Sequence, residues 1–277
     1  MLNILNVREK IKQFYIDDNH YCDISTQVFD EDLKGRAIIK AKESGYFSGG
    51  LIIEEGFKLI DPDIKMELLI KDGDEVEAGD VIADMTGNIR AILTMERTVL
   101  NLVQRMSGIT TKTREYVRKT TGTNTKIIDT RKTTPGLGMF EKYAVIAGGG
   151  RNHRRTLNDG VMLKDNHIDF MGSMTNAIER AKSFIGPMDK IEVEIEDLEM
   201  LKEAIANNVD IIMFDNCGSE WIEAHIHLVP EHIQTEASGG INMDTVAAYA
   251  GSGVDFISVG ALFHNPEALD ISLKVVK

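Results

Sequence analysis

The sequence is poor in the residues that define several common protein classes. It has two cysteines among 277 residues, too few for a disulfide framework. No apolar run approaches the roughly 18 residues that a membrane helix requires, and the charged start contains no apolar segment long enough for a signal peptide. The net charge of −13 argues against general binding to nucleic acid or membrane surfaces, which favours a basic surface. We therefore expect a cytoplasmic protein with a packed core.

The first hundred residues and the remainder of the chain show different patterns. Arg36–Glu43 and Gly50–Glu55 are predicted as short strands, and turn residues within Leu68–Gly87 predict a hairpin. Apolar residues at helical spacing then predict a helix from Thr98 to Lys119, with an interruption at Gly108. Residues 1 to about 105 are therefore expected to form an α+β domain of their own.

Short apolar runs alternate with helical patterns beyond this point. Six runs are predicted as strands: 126–130, 161–166, 190–196, 209–216, 233–240 and 254–260. Strands that alternate with helices form a parallel sheet. Each run ends in polar residues, as the active site of a β/α barrel requires, and no G-x-G-x-x-G motif follows the first run to indicate a dinucleotide-binding fold. The pattern favours a β/α barrel.

Basic residues are concentrated in one segment of this acidic protein. Between Arg131 and Lys164 there are seven lysines and arginines but two acidic residues. Three glycines precede His153, Arg154 and Arg155 there, and the planar guanidinium of arginine matches carboxylate or phosphate groups in two hydrogen bonds. The segment therefore predicts a site for a small, multiply charged anion, with a solvated basic loop as the alternative.

Two kinds of residue at later strand ends complete the candidate site. Glu194 and Asp215 end adjacent predicted strands, where they could act as acid–base groups, as Mg²⁺ ligands, as ribose partners or in ordinary salt bridges. Ser238-Gly239-Gly240 and Ser258 with Gly260 end the last two runs. Glycines let backbone N–H groups approach an anion, which predicts a phosphate site unless these are simple turn glycines.

The segment Asp129–Ile168 resembles the signature region of the quinolinate phosphoribosyltransferases. Five other blocks resemble the family in the same order, so that the resemblance covers nearly the whole chain: Glu96–Thr113, Ile191–Asp197, Ile211–Asn216, Glu236–Ile241 and Gly253–Leu262. Members of this family join quinolinate to 5-phosphoribosyl-1-pyrophosphate with Mg²⁺ and release nicotinate mononucleotide, pyrophosphate and CO2 in NAD biosynthesis.

The resemblance implies an architecture and an assembly. It implies an N-terminal α/β sandwich at 1–105, an incomplete parallel β/α barrel at 106–265, and a C-terminal strand at 266–277 that returns to the first domain. It also implies a homodimer or a larger homo-oligomer in which each active site is shared between two subunits.

The resemblance also implies a role for each candidate residue. Quinolinate would be bound by Arg131, His153, Arg154, Lys164 and, from the partner subunit, Arg97. The 5-phosphate would be bound by Ser238, Gly239, Gly240, Ser258 and Gly260. Lys132 would lie between the substrate and the phosphates, and Glu194 and Asp215 would hold the ribose and Mg²⁺. These last three are the expected catalytic residues.

One position departs from the family pattern. Members usually have an arginine after Pro-Gly-Leu, whereas this chain has Gly138. A paralogous group associated with molybdenum-transport operons usually lacks the lysine that is present here as Lys164, which favours the quinolinate enzyme. The alternatives are a paralogous phosphoribosyltransferase for another acidic heterocycle and a non-catalytic anion-sensing protein on the same fold.

Overall fold

A computed structural model describes residues 2–264 and 266–276. The described chain forms two compact units, the first made of residues 2–114, 139–149 and 266–276 and the second of residues 115–138 and 150–264. Among the residues described, no helix is both long and apolar enough to span a bilayer.

The helices and strands follow one another along the chain with short connections. The helices are α1 (Ile4–Asp18), α2 (Gly50–Ile60), α3 (Ile89–Lys119), α4 (Gly138–Ala147), α5 (Asp165–Met171), α6 (Met174–Lys182), α7 (Leu198–Ala206), α8 (Ser219–His225), α9 (Val246–Gly251) and α10 (Ala261–His264). The strands are β1 (Lys34–Ala41), β2 (Gly45–Tyr46), β3 (Lys65–Leu68), β4 (Glu75–Val76), β5 (Val81–Asn88), β6 (Lys126–Ile128), β7 (Val161–Leu163), β8 (Ile191–Ile195), β9 (Ile211–Asp215), β10 (Gln234–Ser238), β11 (Phe256–Ser258) and β12 (Ile271–Val276).

The first unit is built on an antiparallel sheet in the order β12-β1-β5-β3. In β1 the side chains of Ala37, Ile39 and Ala41 are buried, because alternate residues of a strand face the same side. The last strand, β12, pairs antiparallel with β1 along its length, with Ile39 opposite Leu273. The last strand of the described chain therefore returns to the sheet of the first unit.

The structure corrects the prediction of a strand at Gly50–Glu55, which lies in α2. Ile53, Gly56 and Phe57 are spaced for one face of a helix and are buried. The first turn is stabilised from a distance, because Oδ1 of Asp72 accepts hydrogen bonds from the N–H groups of Gly49 and Gly50, each at 2.9 Å. The local sequence contains no sign of this cap.

The predicted interruption at Gly108 is also wrong, since α3 is one continuous helix of 31 residues. A β-carbon placed on Gly108 would lie 1.9 Å from the backbone oxygen of Glu267. Glycine is therefore required here for close approach of another backbone segment, and it does not end the helix.

The second unit is an alternation of parallel strands and helices. Its six strands pair in the order β6-β11-β10-β9-β8-β7, and every pairing is parallel. Val193, Ile212, Phe214 and Ala237 are fully buried in the central strands. Asp197 caps α7, as its oxygen accepts the N–H of Met200 at 2.8 Å. This parallel sheet, together with the small sheet of the first unit, confirms the predicted fold class.

Candidate active site

One cavity of about 840 Å³ lies in the second unit and collects residues from the carboxyl ends of its strands. All the predicted site residues except Arg97 line it: Arg131, Lys132, His153, Arg154, Lys164, Glu194, Asp215, Ser238, Gly239, Gly240, Ser258 and Gly260. Parallel strands bring their carboxyl ends to one edge, which explains how residues spread over 130 positions meet.

Arg97 lies in the first unit, on α3, and is not among the residues that line this cavity. Its side chain is 67% exposed and approaches Glu96 at 3.4 Å. Its role in the site of a partner subunit stays a prediction.

A buried carboxylate joins the two loops that supply most of the positive charge. Asp129, which follows β6, is fully buried and directly precedes the loop that contains Arg131 and Lys132. Its Oδ1 accepts the backbone N–H of His153 at 2.9 Å, and its Oδ2 accepts the side-chain amide of Asn152 at 2.6 Å. The first basic loop is therefore held beside the loop that contains Arg154.

The second group of charges combines a lysine with two carboxylates. Lys164 follows β7 and donates a hydrogen bond to Oε1 of Glu194 on β8. Burial raises the pKa of Glu194, and the charges of Asp215 and Glu192 add to this, against the lowering effect of Lys164. Asp215 accepts a hydrogen bond from the side chain of Asn216 at 2.9 Å. Oxygen ligands and an ammonium group therefore lie side by side in the cavity.

The glycine-rich turns at the ends of β10 and β11 have the open backbone that an anion site requires. Gly239 and Gly240 adopt φ values of +94° and +63°. A β-carbon on Gly239 would lie 2.2 Å from Oδ1 of Asn216. A β-carbon on Gly260 would lie 3.5 Å from Nζ of Lys132, so an ammonium group lies beside this turn. Backbone N–H groups with a neighbouring cation favour a phosphate group.

His153 has an environment that the sequence did not predict. Its Nδ1 accepts the backbone N–H of Arg154 at 2.6 Å, which places the proton of the neutral ring on Nε2. Nε2 lies 2.9 Å from Oε2 of Glu192 and 3.5 Å from Oε2 of Glu236. A protonated nitrogen cannot bind a cation. Although these three residues are close enough for a metal site, the hydrogen bonding of the ring therefore argues against one.

Several residues that line the cavity were missed as site residues. They include Asp129, Met162, Met213, Asn216, Glu236, Asn242 and His264. Glu236 lies two residues before Ser238, on the same face of β10, and this alternation could have indicated its inward direction. His264 ends α10, four residues after Gly260, where no strand-end pattern indicates a site.

Comparison with known proteins identifies the family. Residues 23–107 match the family described as "Quinolinate phosphoribosyl transferase, N-terminal domain". Residues 109–274 match "Quinolinate phosphoribosyl transferase, C-terminal domain". The chain belongs to the quinolinate phosphoribosyltransferase family. The predicted family, pentosyltransferase activity and place in NAD biosynthesis are thereby confirmed.

Relatives of this chain cover nearly its whole length. A protein of Bacillus subtilis named as a probable nicotinate-nucleotide pyrophosphorylase (carboxylating) is 48% identical over 274 residues, which cover 99% of this chain and 95% of that protein. One of Synechocystis with the same name is 41% identical, with 96% and 92% covered. The solved nicotinate-nucleotide pyrophosphorylase of Francisella tularensis superposes with a TM-score of 0.95 at 36% identity, with 100% and 98% covered.

Proposed function

We propose that this cavity is the site at which quinolinate receives the phosphoribosyl group of 5-phosphoribosyl-1-pyrophosphate. The observation that supports this most directly is that cationic groups, carboxylates and glycine-rich turns lie at the ends of different strands. Cationic side chains follow β6 and β7, carboxylates end β8 and β9, and open glycine turns end β10 and β11. These three groups match a dicarboxylate, a ribose that develops positive charge, and a phosphate.

The two carboxylates of quinolinate would bind to Arg131, Arg154 and Lys164. Burial lowers the pKa of Arg154, and the neighbouring charge of Arg131 lowers it further, so the two guanidinium groups are close enough to repel each other. A bound dianion relieves this repulsion, and guanidinium groups pair well with carboxylates. In our proposal His153 contributes mainly by fixing the backbone of Arg154, because both of its ring nitrogens already have partners.

The phosphoribosyl donor would occupy the opposite side of the cavity. The N–H groups around Gly239, Gly240 and Gly260 would bind the 5-phosphate, together with the hydroxyls of Ser238 and Ser258. Lys132, beside Gly260, would then lie close to the anionic groups of the donor. This position supports a role in stabilising the departing pyrophosphate.

Glu194 and Asp215 would hold Mg²⁺ and the ribose hydroxyls. The fit rests on their donor atoms, because carboxylate oxygens are preferred ligands of Mg²⁺. The hydrogen bonds from Lys164 and Asn216 use one oxygen of each carboxylate, Oε1 of Glu194 and Oδ2 of Asp215. When bound, Mg²⁺ neutralises negative charge on pyrophosphate. The carboxylates themselves would stabilise the positive charge that develops on the ribose as pyrophosphate leaves.

A complete site would need a second subunit. Arg97 is exposed on α3 of the first unit, and its proposed role is to bind quinolinate in the cavity of a partner. A homodimer or larger homo-oligomer and a cytoplasmic location are parts of this proposal.

The deciding experiment is a product assay. The protein is incubated with quinolinate, 5-phosphoribosyl-1-pyrophosphate and Mg²⁺, and nicotinate mononucleotide, pyrophosphate and CO2 are measured. Formation of all three supports the proposal. Binding of both substrates without turnover would indicate an anion-sensing protein, and turnover with a different acidic heterocycle would indicate a paralogous transferase.

A further inference from the structure

A buried cluster of His153, Glu192 and Glu236 separates two cavities of the second unit. The active-site cavity is lined by His153 and Glu236. A second cavity, of about 510 Å³, contains both of these residues and Glu192. It also contains the first residues of four strands, Val161, Ile211, Gln234 and Phe256, and therefore reaches the opposite strand ends.

The two glutamates of this cluster are buried and have too few hydrogen-bond partners to favour two adjacent negative charges. Both are under 5% exposed, and Oε1 of each, like the nearby Oγ of Ser258, is buried without a hydrogen-bond partner among the described residues. Buried polar atoms usually find a protein group or water as partner. Two adjacent carboxylates in such surroundings favour a state in which one is protonated.

Glu236 is the more deeply buried member of the pair. Burial raises its pKa well above the ordinary value, and the adjacent charges of Glu192 and Glu194 act in the same direction, against the effect of Ser258. Nε2–H of His153 points to the pair and donates to Glu192. This burial favours the neutral carboxylic acid form of Glu236, which lies in the wall of the active-site cavity.

The reaction of this family needs such a proton. Loss of CO2 breaks the bond between the ring carbon and its carboxylate, and the electron pair of that bond stays on the carbon. A proton must then bind to this carbon to give nicotinate mononucleotide.

We infer that Glu236 donates the proton that replaces CO2 on the pyridine ring, and that solvent in the second cavity restores it. Donation leaves Glu236 as a carboxylate beside Nε2–H of His153, and one proton from water returns it to the acid. The inference rests on the proposed function of the cavity.

Four of the other groups in the cavity are less suited to this step. Arg131 and Arg154 hold their protons too strongly to act as acids. Lys164 is engaged by Glu194, and the acidic hydrogen of His153 faces the buried carboxylates. Glu236 combines a transferable proton with a route for its return from the second cavity.

The test compares the wild-type protein with Glu236→Gln, which keeps the size of the side chain and removes the acid. Reactions run in an equal mixture of H2O and D2O report the donor, since the hydrogen-to-deuterium ratio at the former carboxylate position depends on the group that delivers the proton. We expect this ratio to change and kcat to fall about 100-fold, as for loss of a general acid. KM for quinolinate should stay the same, because the cations bind it.

Three further variants make the result decisive. Glu236→Asp retains an acid and should be more active than Glu236→Gln. Glu203→Gln is the matched control. Glu203 accepts a hydrogen bond from Thr175 and does not line the cavity, so this variant should behave as wild type. Glu236→Leu replaces the glutamine variant if the latter does not fold, as judged by its melting temperature.

If the isotope ratio of Glu236→Gln equals that of the wild type, the inference is wrong. It is also wrong if Glu236→Asp is no more active than Glu236→Gln. A wild-type protein that forms no nicotinate mononucleotide would instead refute the proposed function.

Discussion

Asp129 accepts the backbone N–H of His153 at 2.9 Å, although 24 positions separate the two residues. The intervening chain includes α4, which belongs to the first unit. This one hydrogen bond therefore joins the loop that contains Arg131 and Lys132 to the loop that contains Arg154, although the chain between the two loops includes a helix of the first unit.

Replacement of Asp129 by alanine should weaken quinolinate binding. The N–H of His153 and the amide of Asn152, both half-buried, lose this acceptor, at a cost of about 0.5–1.5 kcal/mol each. We expect a lower melting temperature and a KM for quinolinate at least about tenfold higher, with less change in KM for the phosphoribosyl donor. Asp197→Ala is the control. It removes the cap of α7, costs about 1 kcal/mol and should leave both KM values unchanged.

Nicotinate should be a poor substrate. It has one carboxylate where quinolinate has two, so at least one of Arg131, Arg154 and Lys164 would lack the carboxylate that it binds in quinolinate. An unpaired charged group costs roughly 1–3 kcal/mol or more. We expect kcat/KM to be at least about tenfold lower for nicotinate. Comparable kcat/KM values for the two acids would contradict the proposed roles of these cations.

Asp215→Asn tests whether the carboxylate acts through its charge. The change keeps the shape of the side chain but removes the negative charge that would stabilise the ribose in the transition state. We expect kcat to fall about 100-fold, the scale of one lost electrostatic contact. Quinolinate affinity, measured by equilibrium binding, should change little. Loss of quinolinate binding with an unaltered kcat would place Asp215 in the wrong part of the site.

The proposed role of Arg97 in a partner subunit can be tested by mixing two inactive variants. Arg97→Ala and Lys164→Ala should each be nearly inactive. After subunit exchange a mixed dimer would contain one site with neither change, so part of the activity should return. Exchange is followed with differently tagged subunits, and confirmed exchange without recovery would mean that Arg97 acts in its own chain or has no role in catalysis.

Two glycine-to-alanine changes should have opposite effects on stability. In Gly108→Ala the new β-carbon meets a backbone oxygen at 1.9 Å, and such overpacking costs about 1–3 kcal/mol. Gly251, the last residue of α9, has no atom within 4 Å of the same position, so Gly251→Ala should stabilise by about 0.4–1 kcal/mol. Denaturant unfolding measures both, and stabilisation by Gly108→Ala would contradict the packing described for α3.

The candidate site was more predictable than the first unit because its chemistry follows a simple topological rule. Lys164, Glu194 and Asp215 each end an apolar run, and parallel strands bring such ends together. The helix α2 was missed because its cap, Asp72, lies 22 positions from Gly50. A cap supplied from so far along the chain leaves no local pattern.

The environment of His153 shows a second limit of sequence analysis. The basic residues beside it predicted a substrate ligand, but its ring faces inward to two carboxylates. Glu192 is two residues before Glu194, on an adjacent position of the same strand face. The sequence predicts a site role for Glu194 and none for Glu192, because it does not show how deep along a strand the cavity extends.

The chain passes between its two units more than once, and this limits how the units can be exchanged by recombination. Helix α3 passes from residue 114 to residue 115 without a break, and residues 139–149 return to the first unit between two stretches of the second. Neither unit is therefore encoded by one uninterrupted stretch of the gene. A single recombination event that exchanged one unit for a homologous one would split helix α3 or leave a segment of the other unit in place. We therefore expect the two units to have diverged together.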